Sequence, residues 1–278
     1  MNDVDIDIVI RDELDDLKAI SALVHQRPDH YAEPGSDLAE DENRFSDIWA
    51  ATVSRRGLSH ACECIEAACR LMLTDSWISP QFALLRASYE SAGAAAWLLM
   101  PDDVDTRLSR LIWQHRESWR FSAKVYSGTR LDDGGEHEER QLWANAAAAQ
   151  SKVDLAKGNP GGFEKLIESI DDLPGHPQSL LTAWRICSGV SHAKTWALNA
   201  VTTEVESFEL YEHGRVSGRV PNRELFLTDL QVARRVVQRA WGLYRIRTTA
   251  RPHTMTLNLV KKDSEGNVLH DSRGGHAG

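Results

Sequence analysis

Apolar positions along most of this chain recur at steps of three and four, the spacing of helices that bury one face. One such pattern runs from Phe45 to Leu73, with Gly57 as an expected kink, and a second from Ser79-Pro80 to Met100, where proline suits a first helical turn. Pro101 closes the second helix, and Asp102 or Asp103 is placed to cap the third. That third helix carries Val104, Leu108, Leu111, His115 and Trp119 on one face. Beyond the polar turn Asp132-Asp133-Gly134-Gly135, a helix is predicted over about 136–156 and is broken by Asn159-Pro160-Gly161-Gly162. Phe163, Leu166, Ile167 and Ile170 mark a short helix. Another is predicted from about Pro177 through Leu181, Trp184 and Ser188 to beyond His192. In the last long helix Phe226, Leu230, Ala233, Val237, Ala240 and Tyr244 form a regular seam.

Two regions break this period. Residues 206–220 alternate like a β-hairpin turning at His213-Gly214, and Thr254 to Val260 has the composition of a further strand. At the other end Asp3, Asp5 and Asp7 alternate with Val4, Ile6 and Ile8, before a short amphipathic stretch to about Val24. The acidic triplet has the spacing of a calcium loop but lacks its turn glycine and its twelfth-position glutamate. Residues 26–43, with Pro28, Pro34 and Gly35, read as a linker or a strap across the core. The expected fold is all-α, an up-down helical bundle with a small β-hairpin excursion near 206–220. The expected organisation is an acidic segment and linker over 1–43, a bundle over 44–250, and a C-terminal extension over 251–278.

Charge sharpens this picture. The net charge is -9 over 278 residues, but residues 1–50 alone hold 14 acidic against 4 basic side chains, a net of -10. The remainder therefore sums to +1, which argues against a dedicated duplex-DNA binder. From Asn222 to Pro252 seven arginines face only Glu224 and Asp229, a patch suited to a polyanion or to solvent. Three of the four cysteines (Cys62, Cys64, Cys69) fall on one predicted helix and Cys187 on another, unlike a secreted disulfide framework. The N-terminus is acidic where a signal peptide is basic, and the longest apolar run, Ala92 to Met100, is far shorter than the ~20 residues needed to span a bilayer. A cytoplasmic protein without membrane contact is expected. The nine tryptophans are read mostly as core.

Candidate chemistry centres on Trp184-Arg185-Ile186-Cys187-Ser188-Gly189-Val190-Ser191-His192. On one continuous helix Arg185 and His192 share a face about 10 Å apart, with Ser188 between them. Such a stripe suits binding a phosphate and moving a proton beside it. The alternative is a structural histidine and a surface ion-pair donor. Arg86 and Glu90, four apart on a helix rich in small residues, form either a polar pocket or a structural tie. His60 with Cys64, and Cys62 with Cys69, lie on nearly opposite helix faces, so one helix cannot gather them around a metal. No phosphate loop or dinucleotide fingerprint implies a cofactor, and Gly189 to Ala193 lacks the strand-to-helix context of a nucleophile elbow.

The Arg185–His192 spacing on a late helix, with Ser188 between and the Arg86–Glu90 pair on an earlier one, resembles the HEPN superfamily and an uncharacterised bacterial helical family often grouped with it. The resemblance spans about Phe45 to Arg247; Ile186 stands where HEPN members often carry a polar residue. It implies a metal-independent endoribonuclease acting on RNA as a homodimer, the two motifs meeting across the interface. It further implies toxin–antitoxin or phage-defence roles, with an antitoxin or other protein partner. In that scheme His192 transfers the proton, Arg185 stabilises charge on the phosphate, and Ser188 positions one or the other. Other members of the superfamily are non-catalytic, so a helical binding or regulatory protein is the alternative. A small-molecule enzyme using Arg86, Glu90 and His60 requires those side chains to converge on a cavity.

Overall fold

A computed structural model of the chain describes residues 3–26, 31–74, 77–132, 136–171, 178–212 and 214–250. Of these, 73% are helical, and the only sheet among them is a two-stranded antiparallel hairpin. The order is α1 (Asp3–Gln26), α2 (Asp37–Arg44), α3 (Ala50–Met72), α4 (Pro80–Leu99), α5 (Val104–Tyr126), α6 (Glu136–Ser151), a 3₁₀ turn (Leu155–Gly158), α7 (Phe163–Ile170), α8 (Leu180–Ser191), α9 (Thr195–Ala200), β1 (Thr202–Tyr211), β2 (Gly214–Pro221) and α10 (Arg223–Thr248). The fold is mostly helical, with the hairpin as its β excursion. The strand expected over Thr254 to Val260 lies outside the described residues.

Helix α4 occupies the centre. Its apolar residues face every direction, and it packs against α3, α7, α8 and α10, so Phe82, Leu85, Tyr89, Ala92, Ala96, Leu98 and Leu99 are all buried. Gly57 is not a kink, since α3 runs unbroken through it. It is a crossing point instead: a methyl group there would sit 2.9 Å from the Ser91 carbonyl oxygen of α4. Asp103 caps α5, accepting from the backbone N–H groups of Asp105 and Thr106.

The acidic N-terminal segment joins the same core. Ile6, Ile10, Leu14, Leu17 and Val24 bury one stripe of α1 against α3 and α10. Its carboxylates meet the arginines of α10: Arg223 pairs with Asp7, and Arg234 reaches Glu13 at 2.7 Å and Asp16 at 2.8 Å. Part of the acidic block thus pairs with part of the basic one within the chain. The Asp3-Asp5-Asp7 spacing lies on this helix rather than on a loop, which removes any calcium-loop geometry.

The region 26–43 is more than a linker, because Ser36 caps α2 through its hydroxyl. Before that helix Glu33 N–H donates to Thr248 O at 2.9 Å. Helix α2 is held by buried ion pairs. Asp41 takes a two-pronged contact from Arg107, both arms 2.7 Å, and Arg247 bonds Asp37 and Asp102 at 2.5 Å each. The same two guanidiniums satisfy the carbonyls of Leu99, at the end of α4, and of Pro101 and Asp102 in the turn beyond it.

Three further boundaries differ from the sequence reading. Helix α6 stops at Ser151, ahead of the 3₁₀ turn. The hairpin begins at Thr202, four residues before the expected start. Helix α8 ends at Ser191, so His192 is its C-cap residue and not part of a continuing helix; Ala193 then takes a left-handed φ of 51°. Trp97, Trp184 and Trp241 are buried as expected, but Trp49, Trp77 and Trp196 are exposed. No helix among the described residues is long and apolar enough to cross a membrane.

Candidate functional site

Helices α4 and α8 face each other and bring together Arg86, Glu90, Trp184 and His192. Arg86 and Glu90 pair along α4, Nε to Oε1 at 2.9 Å, and both are half-buried. Trp184, one turn into α8, donates its indole N–H to the same Glu90 oxygen at 3.0 Å. The Arg86 guanidinium lies 6.0 Å from the centre of the Trp184 ring, a cation–π distance. Its Nη1 reaches His192 Nε2 at 3.4 Å. Arginine only donates, so in that contact the imidazole nitrogen is the acceptor. Glu90 thus fixes the guanidinium from one side, and His192 is exposed at the open side.

Arg185 does not join this group. Its side chain is exposed and turns to α7, where Nε and Nη2 bond Glu164 Oε1 at 3.0 and 2.6 Å. A pair so exposed adds little stability. Ser188 is half-buried on α8, and no hydrogen bond links Arg185 to His192 among the described residues. The arginine beside the histidine comes from α4 rather than from its own helix. Trp184 is the site residue that the sequence reading passed over as core; its one signal was that it flanks the motif.

Behind the site lies a buried polar cluster. Asp229 of α10 is fully buried; its carboxylate faces Cys187 Sγ at 3.6 Å and accepts from Gln178 Nε2, while its backbone oxygen accepts from the Tyr89 hydroxyl at 2.8 Å. Burial pushes the Asp229 carboxyl up to about 8, against the hydrogen bonds from Cys187 and Gln178 that favour its charged form. The Cys187 thiol and the Tyr89 phenol are likewise pushed well up by burial, and Cys62 and Cys69 reach about 12. These thiols stay protonated and are poor nucleophiles.

Two cavities that share lining residues open along α4, the smaller beside Glu90. The smaller, about 380 Å³, is lined by Gly57 and His60 from α3, Glu90 and Ser91 from α4, Gln114 from α5 and Phe163 from α7. The larger, about 610 Å³, shares Ala94, Gln114 and Phe163 with it and extends past Trp113 and Phe121. His60 and Glu90 therefore line one cavity, but Arg86 is not among its lining residues, so the three side chains do not converge on it. His60 Nε2 also sits 3.6 Å from Cys64 Sγ, as their spacing on one face requires. No group of three or more His, Cys, Asp or Glu side chains among the described residues is placed to hold a metal ion.

Comparison with protein-family models, with curated proteins and with solved structures found no match.

Proposed function

We propose that Arg86 and His192, held by Glu90 and Trp184, form the centre of a HEPN-like endoribonuclease that works without a metal. Arg86 takes the role the resemblance gives to Arg185. The observation that carries this reading is the exposed imidazole 3.4 Å from a guanidinium already fixed by Glu90. A contact that long is weak, and a phosphate oxygen replaces it readily. The guanidinium then binds the phosphate and stabilises the charge that grows on it. His192 Nε2 accepts the 2′-hydroxyl proton as O2′ bonds to phosphorus. The bond from phosphorus to the 5′-oxygen breaks, and the imidazolium returns the proton to that leaving oxygen. The resemblance also implies a homodimer in the bacterial cytoplasm, with RNA as substrate and an antitoxin as partner in toxin-type members.

The test is cleavage of single-stranded RNA by the purified protein in excess chelator. His192→Ala is expected to lower the rate roughly 10²–10⁴-fold. Arg86→Lys is expected to be damaging as well, since lysine lacks the planar fork. Arg185→Ala is expected to leave most of the activity, which separates this site from the stripe along α8. RNA left intact by the wild-type protein overturns the reading.

A second reading, a non-catalytic helical binding protein, is favoured by the two cavities lined by aromatic and small residues along α4. It predicts ligand binding without RNA cleavage, lost when Ala94→Trp fills the shared floor.

A further inference from the structure

The β1–β2 hairpin is amphipathic, yet neither of its faces is covered. Its register pairs Glu204 with Arg219, Ser207 with Ser217 and Glu209 with Arg215 on one face, an arrangement of opposite charges suited to water. The other face carries Phe208 opposite Val216 and Thr203 opposite Val220, with Tyr211 across from Gly214. A bulge after Glu204 turns Val205 toward the same side, where its methyl lies 3.5 Å from the position a Gly218 side chain would take. On this second face Val205 is 57% exposed, Phe208 59%, Tyr211 70%, Val216 49% and Val220 42%. Glu206 is its one charged residue among the paired positions.

An isolated two-stranded hairpin is at best marginal in water, and an apolar face of this size on a sheet marks a contact surface. We propose that this face packs against the same face of a second copy of this chain. The side chains named expose about 500 Å² per protomer, so a two-fold pairing with its rim buries about 1,200 Å² in total, at the threshold of a specific interface. The face has no cluster of charge to select a charged partner, and a two-fold axis lets one apolar patch serve as its own complement. The opposite-charge pairs stay in water on the outer faces. This inference does not depend on the nuclease reading.

The 278-residue chain at tens of micromolar is expected to sediment as a dimer, at twice 31.1 kDa. Phe208→Thr combined with Val216→Thr keeps residues that favour strands and is expected to raise the dimer Kd about 100-fold or more, with helical circular dichroism unchanged. Glu209→Gln with Arg215→Gln, on the polar face, is expected to leave the dimer intact. A wild-type monomer at this concentration overturns the proposal, as does a Phe208/Val216 variant that dimerises as tightly as the wild type. A monomer that binds anionic phospholipid vesicles through the same side chains also overturns it, in favour of a membrane surface.

Discussion

Replacing Asp229 by asparagine is expected to remove a steep pH dependence of stability. The carboxyl is fully buried and titrates near 8 in the folded chain, against 3.8 for an ordinary aspartate. Below 3.8 it is protonated in both states and stability does not depend on it. Between 3.8 and about 8 the folded chain keeps the proton while the unfolded chain releases it, so stability falls as pH rises. The slope is about 1.4 kcal/mol per pH unit, and across the whole window the loss is about 6 kcal/mol. Above 8 both states are ionised and the slope from this group ends. From pH 5 to pH 7 alone the loss is about 3 kcal/mol, or about 6–12 °C in Tm for a chain of this size.

Asparagine has the same shape and no charge to lose. Gln178 can still donate to its oxygen, and the Tyr89 bond to the backbone carbonyl is untouched. Urea unfolding of both proteins at several pH values between 5 and 8 reads the effect as a difference, so that groups titrating alike in the two proteins cancel. The expected result is an advantage for Asp229→Asn already present at pH 5, which grows by up to about 1.4 kcal/mol per unit above it. Parallel stability curves for the two proteins would refute the buried-carboxyl argument.

Arg107→Ala leaves Asp41 as an uncompensated buried charge and frees the Pro101 and Asp102 carbonyls, so a loss of about 3–5 kcal/mol is expected in chemical denaturation; a loss below 1 kcal/mol would show that the clamp is dispensable. Gly189→Ala places a methyl 2.6 Å from the buried Ala197 Cβ and 2.8 Å from the Trp196 ring, and is expected to cost about 1–3 kcal/mol in the same assay as α8 and α9 are pushed apart.

The long helices α3, α5 and α10 were legible because each buries a continuous stripe, and α4 because its apolar run is bounded by Pro80 and Pro101; both signals are local properties of the sequence. Helix α2 was not, because only Leu38 and the cap at Ser36 mark it, and its stability comes from Arg107 and Arg247, distant in sequence. The end of α8 was equally hidden. No proline or glycine follows Ser191; the chain turns because Gly189 lets α9 approach and because Lys194 N–H returns to Gly189 O at 2.9 Å. Within the candidate site, Arg86 and Glu90 could be paired from their spacing, whereas Arg185 was drawn away by Glu164 on another helix, a competition that spacing does not reveal. Asp229 did leave a trace. It sits three residues after Phe226 and four before Ala233, a carboxylate on an otherwise apolar seam.

The position of His192 outside α8 changes what controls it. A mid-helix histidine would be aimed by its helix alone, but a C-cap residue is aimed by the turn that follows. Here that turn is set by the contact of Gly189 with α9, and α9 in turn carries the hairpin. Arg219 of β2 bonds Asn199 and Thr202 at 2.7 and 3.0 Å, and Asn222 N–H closes the base of the hairpin on Val201 O at 2.8 Å. Six residues of helix therefore separate the anchored hairpin from the exposed imidazole. Within α8, Cys187 rests on the buried Asp229 and Trp184 on Glu90, so the helix itself is fixed from below while its end follows α9. Arg86, by contrast, is placed by Glu90 on the central helix.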